Sequence, residues 1–312
     1  MKNSVRRVLW GILVVGFWLA MMGSLLRSHL LPSRKVESGD ALTPSELIRD
    51  WKDVEEWMEV LSRGKRIGLA CLTVRQEKDG GGFRLDSRSA LDMGLPLGAR
   101  LTMAASALMN PKFELDRFVA RIGAAGQALE ASGFALEDRL YLNFSAGSNR
   151  MRRAYWPLPG PISFLEAARP LAARRMDLVE GAEYHLDAFD PIWFGGAGEA
   201  RMKVGATETI NLGGRPVEAT RVETDFGGRK AVAWVDADRS IVKYQVGETL
   251  TLQRIGRDEA QRAKGDDFPH EITPPRFDID EYAHNLEMID LSQGNPFGAL
   301  AGILFELTAP KP

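Results

Sequence analysis

The apolar positions of the chain fall into three regimes. Residues 8–26, VLWGILVVGFWLAMMGSLL, contain no charge. At about 1.5 Å per helical residue the run covers about 28 Å, close to the hydrocarbon thickness of a bilayer, and it predicts a transmembrane helix. Further on, Leu47, Trp51, Val54, Trp57, Met58 and Leu61 recur at helical spacing behind Thr43, Pro44 and Glu46, the residue types of a capping box with Pro at the first helical position. An amphipathic helix over 46–64 is predicted, ending at Gly64. From residue 65 the period becomes two. IGLACLTVRQEKDGGGFRLDSRSALDMG reads as strand, turn and strand, and ARLTMAASALMN as a third strand. KFELDRFVARIGAAG follows as a longer segment within the β domain, whose first part is open to either helix or strand. In QALEASGFALEDRLYLNFSAG, Phe134, Leu136, Leu140, Leu142 and Phe144 alternate with Glu137, Arg139, Tyr141 and Asn143, which predicts a sheet with one wet side.

Pro157, Pro159 and Pro161 break the strand series. SFLEAARPLAARR then predicts a helix near 161–175, interrupted by Pro170. Strands resume at GAEYHLDAFDP and continue to residue 256. Turn signals at 213–214, 227–228 and 236–239 separate alternating runs, the pattern of an antiparallel meander. Beyond 257, RDEAQRAKGDD predicts a short charged helix, and a polar stretch with several prolines leads to FGALAGILFELTA, which is too short to span a bilayer. The expected organisation is a cytoplasmic tail at 1–7, a transmembrane signal anchor at 8–26, a tether at 27–45, an amphipathic helix at 46–64, an antiparallel β domain at 65–256, and a polar C-terminal extension with an apolar end at 257–312.

The N-terminal run is longer than the apolar core of a cleaved signal peptide and precedes no small-x-small cleavage site. No cysteine follows it, which argues against a lipoprotein anchor. Lys2, Arg6 and Arg7 precede the span and Arg27, Arg34 and Lys35 follow it, so charge barely decides orientation. The short basic leader favours a cytoplasmic N-terminus, with the bulk of the chain in a bacterial periplasm. The net charge of -2 and the absence of a basic, aromatic-laced patch speak against nucleic-acid partners.

Candidate chemistry is sparse. Cys71 is the only cysteine, which rules out an intramolecular disulfide and a Cys-based zinc site; its alternation in RIGLACLTV marks it as a buried strand residue. The chain has no nucleophile elbow, Walker A loop, H-E-x-x-H or C-x-x-C, and His29, His185, His270 and His284 are isolated. KDGGGF at 78–83 lies between strands, unlike a phosphate loop before a helix. DIDEY at 278–282 lacks the glycine and downstream glutamate of a calcium loop. In PIWFGGAG, Trp193 and Phe194 beside glycines read first as a core plug and second as a ligand or membrane contact. No cofactor or metal is expected, and the chain is expected not to be an enzyme.

DAFDP, RMKVGATETINLGGRPVEATRV and AVAWVDADRSIVKYQVGETLTLQRI together resemble a family of bacterial envelope domains of unknown function, found alone or ahead of periplasmic transglutaminase-like domains. Its most recognisable part is a strand ending in W-V-D, a tight turn, and a strand leading to L-x-R. The resemblance implies the architecture of LolA/LolB-like half-barrels, a curved antiparallel sheet wrapping helices. It does not carry catalysis over, because no Cys/His/Asp catalytic domain follows within this sequence. The expected fold is thus mainly antiparallel β, a half-barrel preceded by a single transmembrane helix.

Two functions follow. The first is a non-catalytic, membrane-anchored envelope protein whose concave sheet binds an acyl chain or a lipidated partner. The alternative is a membrane-tethered adaptor of an envelope complex, its sheet filled by its own helix. An open apolar concavity favours the first, a self-filled core the second. For the first, alternation places Leu140, Leu142 and Phe144 on one inner face and Val232 and Trp234 on another; with Trp193 and Phe194 they form the expected ligand-binding set.

Overall fold

The computed structural model describes residues 39–78, 81–92, 100–124, 127–146, 151–158, 160–190, 196–278, 282 and 288–290. The expected membrane anchor at 8–26, the aromatic pair Trp193 and Phe194, and the apolar C-terminal end lie outside them. Among the described residues no helix is long and apolar enough to cross a membrane.

The strands in chain order are β1 (Asp40–Ala41), β2 (Val54–Ser62), β3 (Lys65–Gln76), β4 (Phe83–Leu91), β5 (Leu101–Met109), β6 (Leu115–Ala124), β7 (Gln127–Leu136), β8 (Arg139–Ala146), β9 (Met151–Pro157), β10 (Ser163–Phe164), β11 (Glu183–Asp190), β12 (Gly196–Leu212), β13 (Arg215–Phe226), β14 (Arg229–Val235), β15 (Ile241–Val246), β16 (Leu250–Arg254) and β17 (Ile289–Asp290). They form one 17-stranded sheet. Each consecutive pair from β2 to β9 is antiparallel, as is each from β11 to β16. These two meanders are joined where β16 pairs with β2, Leu252 opposite Val60. The outer edges carry only short parallel partners, β1 and β10 on β11 and β17 on β9. Such stubs blunt edges that would otherwise offer free backbone donors and acceptors.

The sheet is open and curved, and it rolls around a single core. Inner-face residues of both meanders share one apolar cluster. Phe118 of β6 and Phe189 of β11, far apart in strand order, bring their ring centroids to 5.0 Å. The helix Leu165–Arg175 runs inside this roll and matches the helix predicted near 161–175. Its small side chains let it sit there: Ala167, Ala168 and Ala172 are fully buried, and Leu171 and Ala173 are 2% exposed. Pro170, inside the helix, is buried too.

Two expectations need correction. The helix predicted over 46–64 exists only as one turn, Pro44–Leu47. Its capping box is real, with Thr43 Oγ1 accepting from the Glu46 amide and Glu46 Oε2 from the Thr43 amide at 2.8 Å. After it the chain becomes β2, because VEEWMEVLS alternates as well as it spirals and has a strand to pair with on each side. A ladder on both edges outweighs the helix propensity of Glu and Met. In the same way KFELDRFVARIGAAG, open to either period, becomes β6, held between β5 and β7. Finally, Phe134 does not share a face with Leu140. The two-residue turn at Glu137 and Asp138 places Phe134 opposite Tyr141 and Ala135 opposite Leu140, so Phe134 stacks on Tyr141 on the outer face, centroids 5.1 Å apart.

Part of that outer face is covered, while Arg121 and Arg139 on it remain exposed. After the short helix Arg257–Ala263, the C-terminal extension straps across it. Phe268 is buried against Trp57, Leu69, Cys71 and Ala90, and Phe277 and Tyr282 pack on Phe134. Asp86 of β4 lies fully buried beneath the strap. It accepts from Arg84 Nε at 2.9 Å and Arg75 Nη2 at 3.2 Å, while Arg75 also holds Glu271 at 2.9 Å and Arg84 holds the Ile272 carbonyl at 2.9 Å.

Candidate functional site

The expected binding face is occupied by the protein itself. Leu140, Leu142 and Phe144 do point inward from β8, but they are 0%, 4% and 4% exposed and belong to the continuous core around the helix. Val232 and Trp234 share a face with each other, as alternation requires, yet it is the opposite one. Their neighbours Ala233 and Val235 enter the core, whereas Trp234 joins Ile210, Ala219 and Val242 in a small outer cluster against which Val232 packs. The Trp234 indole N–H donates to the Glu208 carboxylate, and the Lys243 ammonium lies 4.3 Å from the ring centroid. Trp234 is therefore an outer packing residue, and the concave set expected from sequence is not assembled as one surface. Trp193 and Phe194 are outside the described residues.

Among the described residues a partly open space is left at the end of the roll where the inner helix begins. It measures about 80 Å³ and is walled by β16, β2, β3, β4, β5 and β6, with Glu166 of the helix. Its walls are small there: Ala70, Ser87, Ser89, Ala105 and Ala120 line it, on strands that elsewhere send Leu85, Met109 and Phe118 into the core. Ser89 is only 8% exposed.

A second polar feature sits deeper. Glu56 of β2 is 6% exposed. Burial pushes its carboxyl above the ordinary glutamate value, and Asp236 adds to the rise, while Arg169, Arg254 and Arg174 act in the opposite sense. Arg169, on the inner helix, lies over the Tyr244 ring at 4.0 Å. Burial would lower the Arg169 pKa, but Tyr244, Glu166 and Glu56 outweigh it and hold the guanidinium protonated.

Cys71 lies buried as expected, its thiol pushed up by burial despite Arg88 Nη2 at 3.8 Å from Sγ and the neighbouring Thr73. A thiol held neutral is a poor nucleophile. Among the described residues no group of three His, Cys, Asp or Glu could hold a metal ion. A wider surface groove of about 360 Å³ between the β5–β6 and β7–β8 turns is rimmed by Glu114, Asp116, Glu137 and Asp138.

Glu56, Ser87, Ser89 and Glu166 escaped the sequence reading. The signal for the serines was present: in LDSRSAL they occupy the same alternate positions as Leu85 and Leu91. Glu56 was hidden by the helix assigned to its segment.

No family model matches the chain and no curated protein is similar to it. Among solved structures it is similar to a β-barrel-like protein of domain of unknown function DUF1849 from Brucella abortus, with 8% identity, TM-score 0.46, and coverage of 64% of this chain and 94% of that one. It is also similar to a DUF1089 family protein from Pseudomonas aeruginosa, with 12% identity, TM-score 0.30, and coverage of 56% and 89%.

Proposed function

We propose that this chain is a non-catalytic, membrane-tethered adaptor of the bacterial envelope. Its rolled sheet serves as a rigid body whose outer surface meets a partner complex. The observation that carries this reading is the inner helix: residues 165–175 occupy the space where a carrier would hold an acyl chain, with five helix residues at 2% exposure or less. A carrier needs a lumen of the order of 300–1,000 Å³, and the space at the start of the helix, beside Glu166, is about 80 Å³. The tether is the run at 8–26, held as a single uncleaved span in the inner membrane with the β domain on the periplasmic side, a reading supported by its length and by the missing cleavage site.

The test is lipid occupancy. The full chain, extracted in mild detergent, is examined by native mass spectrometry and by displacement of a fluorescent fatty acid. The adaptor reading expects neither co-purifying acyl chains nor saturable probe displacement. A stoichiometric lipid retained by the wild type and lost in a folded Ala172→Trp variant would overturn it in favour of the carrier.

A further inference from the structure

We infer that two copies of this chain pair edge to edge through the outer half of β12. This contact stands independently of the adaptor reading. The hairpin of β12 and β13 reaches beyond the strands on either side of it: β11 pairs with β12 only over 196–203, and β14 with β13 only over 220–226. A bulge between Val204 and Thr207 then turns the hairpin out as an arm, residues 207–212 against 215–220. Gly213 and Gly214 both have positive φ, as the tight type I′ turn at its tip requires. The arm is held firmly on one face, where Ile210 and Ala219 pack on Trp234 and Val242. Along its β12 edge, among the described residues, no backbone pairs with residues 207–212 other than β13.

The two edges of the arm differ. On β13, Pro216 has no N–H and stops a further strand from adding. On β12 the run ATETINL at 206–212 contains no Pro and no Lys, its Thr and Ile suit a strand, and its Glu208 carboxylate is turned onto the Trp234 indole. In a two-residue hairpin the residues flanking the turn, Leu212 and Arg215, exchange backbone hydrogen bonds, so by alternation Ile210 and Glu208 bond inward as well. The Thr207 and Thr220 hydroxyls, 2.9 Å apart, mark the closer, non-hydrogen-bonded pair that this phase demands. The N–H and C=O of Thr207, Thr209 and Asn211 therefore point outward.

The run is its own complement. Laid antiparallel on a second copy about Thr209, it sets Thr209 opposite Thr209, Thr207 opposite Asn211, Glu208 opposite Ile210 and Ala206 opposite Leu212. Thr209 then exchanges both backbone bonds with its counterpart, Thr207 does so with Asn211, and no like charges stand opposite each other. Val179, 66% exposed, lies at the base of the same edge, in the turn whose Gly181 amide donates to the Val204 carbonyl at 2.9 Å. There it meets Leu212 of the second copy, which is half-buried within its own chain. The two-fold axis at Thr209 makes the contact isologous, and Pro216 denies a third strand, so assembly closes at a dimer. A strand pair of this length belongs to the weak class of interfaces, below about 1,200 Å², which cross-linking captures.

The experiment is mild oxidation of the full chain, in membranes and after extraction in detergent. The wild type, whose one cysteine is buried, is the blank. Thr209→Cys should give a disulfide-linked dimer, because the Cα atoms of such a pair lie about 5.5 Å apart, within disulfide reach. Thr207→Cys and Asn211→Cys should each stay monomeric and should cross-link to one another when co-expressed, which fixes the register. Glu218→Cys, on the Pro216 edge, should not cross-link. Two further variants are read by chemical cross-linking of lysines: Thr209→Pro removes the outward N–H and spares the hairpin's own ladder, and Thr209→Lys sets like charges across the two-fold axis. Each should lower the dimer yield severalfold with its melting curve unchanged. Equal cross-linking of Thr209→Cys and Glu218→Cys overturns the pairing, as does cross-linking of neither, or a dimer yield that both folded Thr209 variants leave at the wild-type level.

Discussion

Glu56 and Gly133 show how much a single position carries inside the roll. Glu56 is a carboxyl with a raised folded-state pKa, so the native state holds its proton at a pH where the unfolded chain has lost it. Stability is then greatest below the ordinary value of 4.5 and declines as pH rises through the folded value. Glu56→Gln removes that decline. At pH 8 the variant should melt about 2–4 °C above the wild type, the shift that ~1 kcal/mol produces in a domain of this size, and the gap should close near pH 4. Thermal melts across that range check it; no gap at pH 8 would show that Arg169 compensates the charge fully, and a gap that persists at pH 4 would show that it does not come from the Glu56 proton. Gly133 is governed by space. A Cβ there would lie 2.2 Å from the Tyr141 carbonyl oxygen and 2.9 Å from the Phe118 ring. Backbone and a buried ring have little room to retreat, so Gly133→Ala should cost about 1–3 kcal/mol by overpacking, read as a lower melting temperature with the strand content retained.

Among the elements, the C-terminal strap is the one most open to perturbation. Its apolar anchor is Phe268, with its ring centroid 5.7 Å from that of Trp57, and its polar anchor is Glu271. Burial pushes Glu271 up, but the hydrogen bond and charge of Arg75, with Arg88 and Arg84, hold it below the ordinary value of 4.5. A depressed carboxyl contributes stability above the unfolded pKa and loses it as pH falls through the folded one. Amide exchange in residues 265–278 should therefore accelerate below about pH 4, before the core strands open. Glu271→Gln should show the faster exchange already at pH 7. Phe268→Ala should free the same segment to limited proteolysis and redden Trp57 emission, because filling that site is the main apolar contact of the strap. Slow exchange in both variants would mean that Phe277 and Tyr282 suffice to hold it.

For the whole molecule, β2 is the shared member of both meanders, paired with β3 on one side and β16 on the other. With one core running through both, far-UV circular dichroism and tryptophan fluorescence should report coincident unfolding transitions. Two separated transitions would mean that the meanders melt independently. At this scale the tether is tested by mass: membrane-extracted protein should retain residues 1–40, and a product beginning between residues 20 and 40 would identify the run at 8–26 as a cleaved signal.

The alternation in AVAWVDADRSIVKYQV and its neighbours was enough to assign the antiparallel meander, its turns and the helix at 165–175, because strand period, turn chemistry and helix period are local properties written in consecutive residues. The burial of Cys71 was legible for the same reason. What local pattern could not decide was phase and facing. VEEWMEVLS satisfies both periods, and only strands waiting on both edges made it β2. The hairpin turn at 137–138 moved Phe134 to the outer face, and parity alone could not tell whether Trp234 or Ala233 would face the core. The strap buried part of an apparently wet face, and the inner helix turned a potential lumen into a core. Each of these outcomes depends on contacts between residues far apart in the chain, whose free energies enter only when the sheet rolls up and the competing local preferences are overruled by burial.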